Sequence, residues 1–219
     1  MNNLFAKTVG AGHDQHPRHF LRITSSCLVL LVFIPLLAGC QPGGAMTLAF
    51  LGDINLGRDV KADWESFSYL ENHLKSADLV LANLESPLGN GTEFSTTGYN
   101  LCAPAERASL LVEWGLDLLS VANNHENDCS PLGLQQTQSA LGALGLVGIT
   151  SQPYHVNRKG LGITFFAFDD IATEMDLQSA VDAISAAHSG STLVVVSMHW
   201  GMEYQGAPSD RQKFIAGIL

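Results

Sequence analysis

Four short runs in this sequence carry side chains able to hold a metal ion or move a proton. They are Gly52-Asp53-Ile54-Asn55-Leu56-Gly57-Arg58, Asn83-Leu84-Glu85-Ser86-Pro87, Asn123-Asn124-His125-Glu126-Asn127-Asp128 and His199-Trp200-Gly201-Met202-Glu203. Singly, each is a weak signal, because an Asp or Asn just after a strand more often caps the next helix than ligates a metal. Together they supply carboxylates, an amide oxygen and an imidazole, the hard-to-borderline donors preferred by Mn²⁺, Fe²⁺, Zn²⁺ and Mg²⁺. Burying that much polarity without a partner would be costly. The competing account is four independent turns with capping residues. It leaves unexplained a histidine directly after an asparagine at one strand end and a second histidine at another.

The elements that must position these runs are short apolar stretches, each ending at a polar cluster. Thr47 to Leu51, Asp78 to Ala82, Leu116 to Ala122, Ile163 to Phe168 and Thr192 to Met198 read as strands. Between them Trp64 to Lys75, Pro104 to Trp114, Pro131 to Leu144 and Asp176 to His188 carry apolar residues at helical spacing. This alternation predicts an α/β fold in which helices cover a largely parallel sheet, with binding residues at the carboxyl ends of the strands. Gly89 to Gly98 reads as a surface loop, and Pro208 to Leu219 as the opening of an amphipathic helix.

With 46% hydrophobic and 15% charged residues, the 219-residue chain suits one globular domain plus a strongly apolar segment. That segment is Cys27 to Ala38, reading CLVLLVFIPLLA after Arg18, His19 and Arg22, which is the pattern of a signal peptide. Leu37-Ala38-Gly39-Cys40 then matches the lipobox of bacterial lipoproteins, so residues 1–39 are expected to leave as a leader and Cys40 to carry the lipid. Residues 40–45 form a tether and residues 46–219 the domain. The expected location is the cell envelope, facing away from the cytoplasm. A formal net charge of −10 with no basic run argues against a nucleic-acid partner. Cys102 and Cys129 remain in the domain, either as a disulfide or as two separate thiols.

The runs GDINLGR, NLESP, ANNHENDC and MHWGMEY resemble, in order, the four motifs of the bacterial capsule synthesis protein family (CapA-like, poly-gamma-glutamate synthesis). This is a branch of the calcineurin-like metallophosphoesterase superfamily. The resemblance runs from about Met46 to the end of the chain and implies a layered αββα sandwich. It further implies Asp53, Glu85, Asn124 and His199 as ligands of one or two divalent ions, and His125 as general acid or substrate-polarising group. In that chemistry the ion activates water for attack on phosphorus while the imidazole protonates or hydrogen-bonds the leaving oxygen. Asp128 either orients His125 or caps the helix near Pro131. Arg58 and Asn83 are the substrate-binding candidates; Arg58 forks an anionic group or is a surface arginine at a helix start. Glu203 supports the ligands or faces solvent.

Two departures matter. Asn55 stands where ordinary metallophosphoesterases have the histidine of Asp-x-His, and Glu85 where they have a bridging Asp, which favours one metal over two. The closing Gly-x-His-x-His motif of the family does not occur before Leu219, so the fold is expected to be truncated at its carboxyl end. The resemblance implies a metal-dependent hydrolase acting on a phosphoester or an anionic polymer in capsule or polyglutamate biosynthesis and export, with membrane subunits of a synthase as partners. The alternative is a polymer-binding or assembly component on the same scaffold that does no chemistry.

Overall fold

The computed structural model describes residues 45–90, 99–191, 193–202 and 204–219. The leader and Cys40 lie outside the described residues, as does most of the Gly89 to Gly98 loop and Glu203.

Two sheets form. The first is wholly parallel, in the order β1 (Leu48–Ile54), β2 (Leu79–Leu84), β3 (Leu118–Ser120), β4 (Val147–Ile149). The second has the order β5 (Tyr154–Arg158), β6 (Leu161–Asp169), β7 (Leu193–His199). In it β6 and β7 are parallel, but β5 and β6 form an antiparallel hairpin. Strands β4 and β5 are additions to the sequence reading. β4 is only three residues long with a central glycine, and β5 reads YHVNR, too polar to register as a buried strand. The hairpin turns through Lys159 (φ 51°) and Gly160 (φ 79°), the two successive positive φ angles that match the twist of paired strands.

Period-two alternation explains the layering. Along β2, Leu79 and Leu81 point to the second sheet, where they pack with Leu118, Ile149, Ile163, Phe165 and Ala167. The intervening Val80, Ala82 and Leu84 point outward, beneath Leu74, Leu111, Trp114 and Leu141. These last come from α1 (Glu71–Ser76), α2 (Ala108–Glu113) with the residue after it, and α3 (Gly133–Ala143). On the far side Phe166 and Phe168 alternate out of β6 against Ala180 and Ala187 of α4 (Leu177–His188). The result is the αββα sandwich, with α5 (Asp210–Ala216) after β7.

The predicted helix from Trp64 to Lys75 is split into a 3-10 turn at Trp64–Phe67 and α1. Tertiary contacts hold the turn apart: Phe67 stacks on Trp114 with ring centroids 4.4 Å apart, and the Trp114 Nε1–H donates to the Asp63 carbonyl at 2.9 Å. Likewise Pro131 precedes α3 without opening it, since Gly133 starts the helix against the Glu126 carbonyl. Cys102 and Cys129 are joined in a disulfide, with Cα atoms 4.8 Å apart. No helix among the described residues is long and apolar enough to cross a membrane.

Candidate metal and active site

All four runs meet at the edge formed by the carboxyl ends of the strands. A cleft of about 760 Å³ there is lined by Asp53, Glu85, Asn124, His125 and His199, with Trp200 and Gln212 among its other walls. Alternation again does the placing. Asn83 continues the inward row of Leu79 and Leu81, and His199 that of Val195.

Asp53 needs a further device. In β1, Phe50 pairs with Leu81 but Asp53 pairs with Asn83, so Leu51 and Gly52 together oppose one residue of β2. Unbroken pairing would have set Asp53 opposite Leu84. The bulge rotates it beside Asn83, whose Nδ2 donates to Asp53 Oδ1 at 2.8 Å.

His199 joins the set from the second sheet. Its Nδ1 lies 3.3 Å from Asn83 Nδ2 and 3.9 Å from Asp53 Oδ1, and its Nε2 lies 2.9 Å from Asn124 Oδ1. Because Asn83 Nδ2 is a donor, Nδ1 accepts and the proton sits on Nε2, pointing at Asn124. Asn123, fully inside, locks this arrangement. Its Nδ2 donates to Asn83 Oδ1 (3.2 Å) and the Leu84 carbonyl (2.9 Å), and its Oδ1 accepts from His125 N–H (3.1 Å).

His125 Nδ1 is 2.8 Å from Oδ2 of Asp128, which has no exposed surface. The same oxygen accepts the Leu101 N–H at 2.8 Å. Asp128 therefore orients the imidazole and does not cap α3, whose N-cap Leu132 makes no side-chain bond. Next to it, the Glu126 carboxyl is pushed above its ordinary range, chiefly by burial and secondarily by Asp169, with Asn127 opposing.

The two substrate-binding candidates lie apart from the cleft lining. Asn83 is buried, and its amide is engaged by Asp53 and Asn123. Arg58 starts no helix. It occupies a turn with φ 51°, followed by Asp59 at φ 57°, and its guanidinium sits 5.0 Å over the Tyr99 ring. Asn55, the departure from Asp-x-His, also has a local task. Its Oδ1 accepts from the Ser86 hydroxyl (2.8 Å) and Gly57 N–H (2.9 Å), while Ser86 Oγ accepts from Leu56 and Gly57 N–H at 2.8 and 3.0 Å. Ser86 and Asn123 thus organise the site without touching it. Their sequence signal is a polar side chain two or three residues past the end of a buried strand.

The residue types, a carboxylate, an amide oxygen and an imidazole, suit a single divalent ion, which would take the His199 Nε2 lone pair once the ring proton moves to Nδ1; Nε2 stands 2.9 Å from Asn124 Oδ1. For ligands about 2.1 Å from one ion, that separation suits the right angle of octahedral coordination (~3.0 Å) and falls short of the tetrahedral value (~3.4 Å). Among the described residues no three His, Cys, Asp or Glu side chains cluster tightly enough to hold an ion by themselves.

The family model "Bacterial capsule synthesis protein PGA_cap" matches residues 47–219. The chain belongs to that family. Within it, the chain is 26% identical to the PGA biosynthesis protein CapA of Bacillus subtilis strain 168, over 80% of this chain and 54% of that protein. It is 28% identical to the capsule biosynthesis protein CapA of Bacillus anthracis, over 80% of this chain and 51% of that protein. The chain therefore spans about half the length of the curated relatives it matches. Among solved structures, a putative 5'-nucleotidase from Staphylococcus aureus in complex with alpha-ketoglutarate superposes with a TM-score of 0.47 at 11% identity. It covers 74% of this chain and 39% of the nucleotidase.

Proposed function

We propose that this protein is a Cys40-anchored envelope component of capsule or polyglutamate biosynthesis whose cleft is a metal-dependent phosphoesterase-like site. One observation carries the reading: His199 stands within reach of both Asp53 and Asn124, from three separate runs, in a cleft that also holds a histidine backed by a buried carboxylate. Asp53, Asn124 and His199, with Glu85 on the same wall, would hold the ion. When bound, such an ion supplies Lewis acidity toward a phosphoryl oxygen and an activated water.

The remaining work falls to the protein. Asp128 occupies His125 Nδ1, so the proton exchanged with a leaving oxygen is carried at Nε2. Asn83 and Asn123 keep Asp53 and His199 in place. No Lys or Arg is among the described residues lining the cleft, so an anionic substrate is received through the ion and His125 against an acidic background. Synthase subunits in the membrane are the partners expected for an anchored protein of this kind.

A second reading, a polymer-binding or assembly component without chemistry, is favoured by the way the donor atoms bond to one another. Elemental analysis of the purified chain beside Asp53→Ala, His199→Ala and His125→Ala, with bis(p-nitrophenyl) phosphate turnover in parallel, separates the two. Metal lost in the first two variants, with turnover lost in all three, supports the enzyme. Stoichiometric metal without turnover supports the assembly role. A folded protein that takes up no metal sinks the site assignment.

A further inference from the structure

The segment Leu101-Cys102-Ala103 belongs to none of the four runs, yet it touches three of them. Against the first, it passes so close to Gly57 that a Cβ there would lie 2.2 Å from the Leu101 carbonyl oxygen. Against the second, Ala103 N–H donates to the Pro87 carbonyl and the Ala103 carbonyl accepts from Gly89 N–H, both at 2.9 Å. Against the third, Leu101 N–H donates to Asp128 Oδ2, and Cys102 is bonded to Cys129. Gly89 is pressed onto the crosslink as well, since a Cβ there would stand 3.0 Å from Cys129 Cβ.

We propose that this strap, pinned by the Cys102–Cys129 disulfide, positions the His125–Asp128 pair, so that turnover depends on a covalent bond that touches no substrate. Cys102 follows Leu101 and Cys129 follows Asp128, so the crosslink runs one residue away from the Leu101–Asp128 hydrogen bond on both of its strands. Asp128 Oδ1 is buried without a partner, so the carboxylate is oriented through Oδ2 alone, by His125 and the strap. Withdrawing the strap leaves His125 as the one group aligning the carboxylate that is meant to align it. The cysteines and Leu101 are positioning residues, and their effect on turnover rests on the proposed role of His125.

The test compares the oxidised 219-residue chain with a Cys102→Ala/Cys129→Ala double variant and with the wild-type chain reduced by a phosphine. Amide hydrogen exchange is followed at Leu101 and, as a control, at Leu81 and Ala82 of β2; bis(p-nitrophenyl) phosphate turnover is measured with Mn²⁺. The expected result is at least about tenfold faster exchange at Leu101 with the β2 amides unchanged. It is accompanied by a fall in kcat of roughly 10–100-fold at nearly constant KM, as for other groups that orient a site residue. Unchanged exchange at Leu101, or local loosening with unchanged kcat in an active protein, overturns the proposal. So does loss of β2 protection in both altered forms, because the disulfide would then be a staple for the whole domain. If the oxidised protein turns nothing over, the enzyme reading fails, and exchange at Leu101 alone decides whether the strap positions Asp128.

Discussion

Removing the Asp128 carboxylate should unsettle the domain far more than an average point substitution, and the structure sets the size. Oδ2 accepts two hydrogen bonds of 2.8 Å, from His125 Nδ1 and Leu101 N–H, in a residue with no exposed surface. In Asp128→Ala both donors lose their acceptor. Hydrogen bonds to a charged group are worth about 1.5–3 kcal/mol each, and an orphaned buried donor costs about 1–3 kcal/mol. Relief of a buried carboxylate offsets part of this, which leaves a net loss of about 3–5 kcal/mol, the range for breaking a buried pair. Asp128→Asn should cost less. The amide oxygen can take the Oδ2 place and keep both donors, but the NH₂ then falls where Oδ1 has no partner, a penalty of about 1–3 kcal/mol. For a domain of this size each kcal/mol is about 2–4 °C, so calorimetry should show a drop of roughly 6–20 °C for Ala and a smaller one for Asn. Turnover should fall in both, since the imidazole loses its charged orienting partner. A drop below about 2 °C for Asp128→Ala would refute the reasoning, because it would mean that neither donor depends on this carboxylate.

Three further outcomes follow from the geometry. Ser86→Ala removes a fully buried hydroxyl that serves Leu56 and Gly57 N–H, so urea unfolding should register a loss of about 2–4 kcal/mol, well beyond the change in volume. Gly57→Ala drives a Cβ into the Leu101 backbone and should cost about 1–3 kcal/mol or more; in the Cys102→Ala/Cys129→Ala background the cost should shrink, and additive effects would argue that the strap is not held by the disulfide. The Asp170 carboxyl is held below its ordinary range by the Arg211 guanidinium and, less strongly, by Met175 N–H. Its folded pKa is thus depressed, so the stability it adds is present above the unfolded value of about 3.9 and is lost as pH falls through the folded one. Melting curves at pH 6 and pH 3 should therefore differ less for Asp170→Asn than for the wild type.

The family and the layered α/β architecture were legible because they rest on local patterns: apolar runs that end at polar clusters, and four motifs in a set order. Shorter or more polar elements were not. Strand β4, three residues around Gly148, owes its existence to pairing with Leu118 to Ser120, and β5 to a hairpin with β6. Asp128 was ambiguous in one dimension, since i,i+3 from a histidine and a few residues before a helix look alike until Leu101 is seen to share its oxygen. Residue type and order likewise left the placement of Arg58 and Asn83 open, and tertiary structure decided it: Asn83 is buried, and a left-handed turn sets Arg58 over Tyr99.

By itself the sequence determined which side chains are available for chemistry and that they stand at strand ends, because residue type and hydrophobic period are properties of the chain. Only the tertiary structure decided which of them meet. The bulge at Leu51 and Gly52 aims Asp53 at Asn83, His199 is delivered from a different sheet, and a strap more than forty residues beyond Gly57 gathers three of the runs. Each depends on pairing register and on packing between segments distant along the chain, and neither is encoded in any single stretch of it.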